Sequence, residues 1–216
     1  LYLSINRGWR NSQGARPFAD VRVRQALAHA INKESLVQTA YAQSGILAKN
    51  MLSPHLWGYN DALPDYNYNP ARSRELLSEA GFPNGISTEL WIMDLPRPYL
   101  PEPARVAAMV QADLKLAGIE TTIVSLPWGT YLERVDAGQY PLCLLGWTPE
   151  IADPDQALYP LFGGATQQFA QAGPPDTYLY QVLSEARSTM DLASRQKLYE
   201  EANAVIHGVV PAVPLV

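Results

Sequence analysis

The chain has 216 residues, of which 47% are hydrophobic, so it is long enough for one large domain or two small ones and can supply a buried core. Only 17% of the residues are charged, and 16 basic against 21 acidic residues give a net charge of -5. This balance argues against a nucleic-acid partner, and no run of about 18 apolar residues predicts a membrane-spanning helix.

The first third of the chain predicts a strand, two helices and a long loop. Apolar side chains alternate along LYLSINR, which is typical of a strand. Asp20 is a candidate N-cap for a helix whose apolar residues recur at i, i+4, i+7 and i+8 from Val23, and Asn32 is a candidate N-cap for a second helix, KESLVQTAY. The proline- and aromatic-rich stretch MLSPHLWGYNDALPDYNYN contains no clear element and predicts an ordered surface loop.

Helices and strands alternate through the middle of the chain. Asn69, Pro70 and Gly81 delimit the helix NPARSRELLSEAGFP. The strand STELWIM, the helix EPARVAAMVQADLKLAGI, the strand ETTIVSL and the helix WGTYLERVDAG follow. YPLCLLGW is apolar on both faces, as in a central strand, and helices near 177–190 and 194–207 precede a last strand. The alternation predicts a layered α/β domain whose terminal strands could lie side by side.

Both ends of the sequence have the character of strands, whereas natural termini are usually polar and frayed. We therefore expect the chain to be a fragment of a longer protein. On that expectation, the lack of a signal peptide at its start says little about the compartment.

The common signatures of nucleophilic and phosphate-binding sites are missing. G-x-S-x-G, P-loop and G-x-G-x-x-G patterns do not occur, and His29, His55 and His207 have no partner at metal-ligand spacing. We expect these histidines to be surface or packing residues. Cys143 lies in an apolar run without a nearby base, which predicts a buried, inert thiol. We expect no metal, no cofactor and no enzymatic activity, with a peptidase or deacylase as the enzyme alternative.

Two loops that follow strands carry side chains suited to a ligand. In DLPRPYLPEP the prolines hold Arg97 and Tyr99 on a short tether, and a held arginine matches a carboxylate with two hydrogen bonds. In GWTPEIADPD, Trp147 offers an apolar wall and Glu150 and Asp153 offer negative charge. Ligands of open α/β sheets collect outside the carboxyl ends of strands, so the two loops suit a zwitterion such as an amino acid or a short peptide. A solvated arginine and an Asx turn that caps a helix are the alternatives.

Several segments resemble one transport family. PFADVRVRQALAHAINKESLV resembles the signature V-R-x-A-[IL]-x-x-A-[IL]-[DN] of the peptide/nickel family of ABC-transporter solute-binding proteins. NPARSRELLSEAGFPNG, VQADLKLAGIETTIVSLPWGTYLERVDAGQY and LLGWTPEIADPDQALYPLF occur in that family's order, so the resemblance covers essentially the whole chain. RPY and GWT resemble the dipeptide-binding branch most closely.

The resemblance implies a fold and its boundaries. The fold would be α/β, the second lobe of a type II periplasmic-binding-protein-like clam with a mixed sheet flanked by helices. Residues 1–216 would form a single ligand-binding lobe, and residues 1–7 and 209–216 would be the strands that connect it to the other lobe.

The resemblance also implies roles for single residues. In dipeptide binders the arginine of R-P-Y contacts the ligand carboxylate, which implies that role for Arg97. An aspartate three residues after the tryptophan takes the ligand amine, but this sequence has Glu150 there, which keeps the charge on a longer side chain. Gly146, Trp147 and Tyr99 would line the pocket.

The implied protein is a monomeric, periplasmic or otherwise extracytoplasmic component of an ABC importer, with a lipid anchor on the full-length form as one option. It would capture short peptides, dipeptides above all, between two lobes and deliver them to permease subunits in the membrane. The alternatives are another ligand of the same family (oligosaccharide, nickel complex, haem or opine) and a chemosensory domain without transport.

The two arginines of the signature are expected to be structural. Arg24 occupies the V-R position, where its stem would pack and its head would bond to carbonyls or a carboxylate. Arg22 is expected to be its solvated neighbour.

Overall fold

The computed structural model describes residues 1–42, 44–163 and 177–216, and this part contains eight α-helices, five strands and a short 3-10 helix (Pro17–Ala19). In chain order the α-helices and strands are β1 (Tyr2–Ile5), α1 (Val21–Ala30), α2 (Lys33–Thr39), α3 (Pro70–Glu79), β2 (Ile86–Met93), α4 (Pro103–Leu116), β3 (Ile119–Leu126), α5 (Trp128–Asp136), β4 (Leu142–Leu145), α6 (Pro154–Phe162), α7 (Thr177–Ser188), α8 (Leu192–Val209) and β5 (Ala212–Pro214). None of the described helices combines the length and apolar character that crossing a bilayer requires.

The described strands form one mixed sheet in the order β3–β2–β4–β1–β5. β2 pairs in parallel with both β3 and β4, whereas β1 runs antiparallel to β4 and β5. The carboxyl ends of three parallel strands, at Met93, Leu126 and Leu145, therefore lie at one edge of the sheet. The predicted α/β architecture is confirmed, and so is the pairing of the terminal strands, in which Tyr2 lies opposite Pro214.

The predicted helix starts follow from side-chain caps. Asp20, Asn32 and Asn69 each accept a hydrogen bond from a backbone N–H in the first turn of α1, α2 and α3, respectively. Gly81 ends the α3 region with a positive φ, as predicted. The stretch 51–69 forms neither helix nor strand, which confirms the predicted loop.

Two apolar clusters stabilise the described residues. The larger cluster lies between the sheet and its helices and includes every residue of β4. The smaller cluster joins α6, α7 and α8 to residues 51–59 of the long loop. Because β4 is covered on both faces, its apolar sequence is that of a central strand, as predicted.

The cysteine and the histidines lie where the sequence predicts them. Cys143 is fully buried in β4, and burial raises the pKa of its thiol to about 12. The rings of His29 and His207 lie 5.3 and 4.6 Å from the ring of Tyr66, while His55 is exposed on the loop. The described residues contain no group of His, Cys, Asp and Glu side chains that could hold a metal ion.

Arg24 joins the start of α1 to the end of α8. Its guanidinium donates to the carbonyl oxygens of Phe18 (2.8 Å) and Ala19 (2.9 Å), and twice to that of Val209 (2.7 and 2.8 Å). The residue is only 5% exposed, and this burial lowers the pKa of its guanidinium to about 10. The predicted structural role of Arg24 is confirmed, with carbonyls as its partners.

Arg22 is more than a solvated neighbour. Its side chain is 44% exposed, but it forms an ion pair with Asp20 at 2.6 Å and donates to the carbonyl oxygen of Glu79 at 2.6 Å. The sequence does not reveal the second contact, because it depends on how α3 packs against α1.

Replacing Arg24 with methionine should destabilise the fold. Methionine keeps much of the apolar stem but leaves three carbonyl oxygens without their charged donor, which predicts a loss of about 3 kcal/mol in the free energy of unfolding. Urea unfolding of the full-length protein measures the change. Arg22→Met is the matched control and should have a much smaller effect, since that guanidinium is at the surface. Equal losses in the two variants would contradict the structural role of Arg24.

Candidate functional site

Loops that leave the carboxyl ends of β2, β3 and β4 meet at one edge of the sheet. Because these strands are parallel, residues that follow them become neighbours although they are distant in sequence. Arg97, after β2, contacts Trp128, after β3, while Tyr99, also after β2, contacts Gly146, after β4. We therefore take this edge as the candidate site.

Arg97 is held by its own loop and by an aromatic ring. Its backbone N–H and C=O exchange hydrogen bonds with Leu100 at 3.0 and 2.9 Å, which closes the turn through Pro98 and Tyr99. Its guanidinium carbon lies 3.7 Å from the centroid of the Trp128 ring, a cation–π contact.

The guanidinium of Arg97 has unused donors. Its Nε is shielded from solvent and has no hydrogen-bond partner among the described residues, and no carboxylate in the described part of the chain forms an ion pair with it. A buried N–H without an acceptor is costly and is uncommon in folded proteins. The arrangement leaves a fixed positive charge that can accept an anionic group.

Tyr99 packs directly on Gly146. A Cβ on Gly146 would lie 2.2 Å from Cγ and 2.3 Å from Cδ2 of Tyr99, so only glycine permits this approach. The hydroxyl of Tyr41 donates to the carbonyl oxygen of Tyr99 at 2.8 Å and fixes the backbone beneath the ring. Burial raises the pKa of Tyr99, so its phenol stays neutral at physiological pH.

Gln156, near the start of α6, holds the loop that follows β4. Its backbone carbonyl accepts a hydrogen bond from the indole N–H of Trp147 at 2.6 Å. Its side-chain oxygen accepts from the backbone N–H groups of Glu150 at 2.9 Å and of Ile151 at 3.1 Å. Nothing in the sequence pattern singles out Gln156, because a glutamine in the first turn of a helix is ordinary.

The side chains at the tip of this loop are accessible. Trp147 is 45% exposed although its indole N–H forms a hydrogen bond. The carboxylate of Glu150 is also exposed and forms no ion pair with a described residue. The loop thus presents an apolar plane and an uncompensated negative charge.

An open cleft of ≈ 560 Å³ lies beside the two loops. Tyr99, Gly146, Trp147 and Glu150 line it, so the structure brings together four of the six predicted site residues. Its other lining residues are Thr148, Pro149, Asp155, Gln156, Tyr159, Pro160 and Arg187. Arg97 is not among the residues that line this cleft and lies against Trp128 instead.

Arg187 and Asp155 add charges of both signs to the cleft. The guanidinium of Arg187 lies 3.9 Å from the centre of the Tyr159 ring, and its Nε is 3.4 Å from the carboxylate of Asp155. These residues come from different helices, α7 and α6, so their meeting depends on tertiary packing and has no local sequence signal.

Asp153 lies apart from the cleft and is fully engaged. Its Oδ1 accepts the backbone N–H of Asp155 at 2.9 Å and caps α6, as the Asx-turn alternative predicts. Its two oxygens also accept hydrogen bonds from Arg195 at 2.8 and 3.0 Å. The charge of this carboxylate is therefore already paired within the chain.

Replacing Gly146 with alanine should disturb the contact with Tyr99. The added methyl group has no room, which predicts an overpacking cost of about 2 kcal/mol in the free energy of unfolding. Gly129→Ala is the matched control, because a Cβ there meets no atom within 4 Å and alanine suits the helix. Urea unfolding measures both variants. The cost at Gly146 should fall when Tyr99 is alanine, which removes the two ring atoms but keeps a Cβ 2.8 Å from the added methyl group. An unchanged cost in that background would contradict the contact.

The sequence was compared with protein families and with known proteins. A family model described as "Bacterial extracellular solute-binding proteins, family 5 Middle" matches residues 1–169. The chain belongs to this family. The predicted resemblance is thereby confirmed at the level of the family, which is described as one of bacterial extracellular solute-binding proteins.

Individual relatives have related binding functions. The dipeptide-binding protein of Escherichia coli (strain K12) is 39% identical over 202 residues, 92% of this chain, and heme-binding protein A of Haemophilus influenzae is 36% identical over 200 residues, also 92% of this chain. The chain spans 37% of the length of each relative.

Several solved structures share both the fold and appreciable sequence identity with this chain. The dipeptide-binding protein from Pseudoalteromonas sp. SM9913, solved in complex with Met-Leu, matches with a TM-score of 0.89 and 30% identity. The match covers 99% of this chain and 41% of that protein. The expected periplasmic-binding-protein-like fold is confirmed by this likeness.

Proposed function

We propose that the full-length protein is the solute-binding component of an ABC importer and that it captures dipeptides, with this chain forming one wall of the binding site. The proposal rests on the position of Arg97, whose guanidinium lies over Trp128 and whose Nε has no partner among the described residues. The exposed carboxylate of Glu150 follows a neighbouring strand at the same edge of the sheet. The Escherichia coli relative and the structure with Met-Leu support the choice of a dipeptide.

The two ends of a dipeptide would be recognised by opposite charges. Arg97 would receive the ligand carboxylate and Glu150 the ammonium group, while the wall formed by Tyr99, Gly146 and Trp147 lies beside the peptide. Bringing both ionised ends out of water is tolerable only when each is paired in place. We propose no role for Asp153 in this recognition, because its oxygens already accept hydrogen bonds from Arg195 and from the backbone N–H that it caps in α6.

Capture would involve a second lobe. Residues 1–216 would be one lobe, and the adjacent strands in 1–7 and 209–216 would connect it to the other, which fits the pairing of β1 with β5. Closure around a hinge would cover the ligand and present the closed protein to the membrane permease. We propose that the protein works as a monomer without catalytic activity, with a lipid anchor as one means of attachment.

Replacing Arg97 with alanine should remove most of the affinity for a dipeptide. Leaving the ligand carboxylate without its charged partner predicts a loss of about 3 kcal/mol, roughly a hundredfold in Kd. Arg97→Lys keeps the charge but not the planar fork and should fall between. Isothermal titration of the full-length protein with Met-Leu measures the change.

Arg72→Ala is the matched control for this experiment. Its guanidinium pairs with Glu75 and Glu79 on the surface of α3, so its loss should leave Kd unchanged. Unchanged affinity in Arg97→Ala would contradict the proposed role. Titration of the wild-type protein with heme in parallel tests the alternative that heme-binding protein A suggests.

Replacing Glu150 with glutamine should lower the affinity only for ligands that have a free amino group. Losing the charged acceptor predicts about a tenfold rise in Kd for a free dipeptide. The N-acetylated dipeptide has no ammonium group, so its weaker affinity should not change further. Titration of both ligands against both proteins tests this, and an equal loss for the two ligands would contradict recognition of the amine by Glu150.

A further inference from the structure

We propose that Arg195, in the first turn of α8, is a positioning residue that fixes the loop of residues 146–153, hereafter the ligand loop. The proposal rests on the proposed function for the identity of the ligand. For the position of the loop it rests on the contacts of Arg195 alone. Arg195 itself does not line the cleft.

Arg195 grips the last residue of the ligand loop with two hydrogen bonds. NH1 donates to Oδ2 of Asp153 at 2.8 Å, and NH2 donates to Oδ1 at 3.0 Å. The side chains of the two residues are only 20% and 24% exposed, so water screens the pair less than a surface pair. A bidentate pair of this kind sets direction as well as distance.

The guanidinium of Arg195 is itself fixed by its surroundings. Its Nε donates to the carbonyl oxygen of Ala186 in α7 at 3.0 Å, and NH2 also donates to the hydroxyl of Tyr199 at 3.1 Å. It lies 5.0 Å from the centre of the Trp57 ring, whose indole N–H donates to the carbonyl oxygen of Ala152 at 3.2 Å. Two side chains from outside the loop therefore hold its neighbouring residues 152 and 153.

The contact of Arg195 with Asp153 affects the position of Glu150 through the first turn of α6. Asp153 caps this helix, and Gln156 in the same turn accepts the backbone N–H groups of Glu150 and Ile151. If Asp153 loses Arg195, the first turn of α6 keeps the pair of Asp155 with Arg187 but loses the bidentate contact that orients its cap, and the position of Gln156 becomes less fixed. Glu150 would then have to be ordered when a ligand binds, which costs affinity.

Substituting a residue that positions the ligand loop would change other measured properties than substituting a residue that only stabilises the fold. Arg195 also touches the cluster of α7 and α8, so a lower free energy of unfolding would not distinguish the two roles. A positioning role predicts selective effects on the ligand loop and on ligands that use Glu150. Both effects can be measured in the folded protein.

The first measurement is hydrogen–deuterium exchange of the full-length protein without ligand. In Arg195→Met, amides in the ligand loop should exchange about tenfold faster, whereas amides of the buried strand β4 should keep their rates. Arg195→Lys, which keeps the charge but not the bidentate fork, should give a smaller rise. Arg72→Met, which removes an exposed arginine from α3, is the matched control and should change neither region.

The second measurement is titration with Met-Leu and with its N-acetylated form. Arg195→Met should raise Kd for the free dipeptide about tenfold and Kd for the acetylated one by less than about twofold. When Glu150 is already glutamine, adding Arg195→Met should change Kd for the free dipeptide little further.

The outcomes separate this proposal from the proposed function. Unchanged exchange in the ligand loop, equal losses for the two ligands, or full additivity with Glu150→Gln would each overturn the positioning role. If the wild-type protein binds no dipeptide, the proposed function fails, and the exchange measurement alone decides whether Arg195 positions the loop. If Arg195→Met does not fold, the same criteria apply to Arg195→Lys.

Discussion

The candidate site depends on the parallel pairing of β2 with β3 and β4. This pairing carries the loops after all three strands to one edge of the sheet, where Arg97 meets Trp128 and Tyr99 meets Gly146. Buried and exposed residues alternate at the start of β3, so a slip of one residue against β2 would bury Glu120 and expose Ile119, which specifies the register of this pair. The hydrophobic core therefore fixes where the loops of the candidate site start.

Three arginines of the chain differ in whether their guanidinium groups already have hydrogen-bond acceptors within the protein. Arg24 donates to carbonyl oxygens, whereas Arg195 donates to a carboxylate, a carbonyl oxygen and a hydroxyl group, and both join distant elements. Arg97 instead lies on the face of an aromatic ring, and its Nε has no acceptor among the described residues. A protein retains such a buried, unpartnered donor at a cost in stability, which is typical of sites where a ligand supplies the partner.

Local features of the fold could be predicted from the sequence, whereas contacts between distant residues could not. Caps such as Asn69 and the apolar strand β4 depend on neighbouring residues, so their patterns predict the structure well. The pair of Asp153 with Arg195 spans 42 residues and forms only when α8 packs beside α6. For the same reason the sequence leaves the role of Asp153 open between ligand contact and helix cap. The family resemblance makes Arg97 and Glu150 candidates, but the stacking of Arg97 on Trp128 depends on the order of the strands.

A crystal structure of the full-length protein with a bound dipeptide tests the central claim most directly. The account predicts that the ligand carboxylate accepts hydrogen bonds from Arg97, which stays stacked on Trp128, and that the ligand ammonium group lies against Glu150. A dipeptide whose two ends contact neither Arg97 nor Glu150 would contradict it.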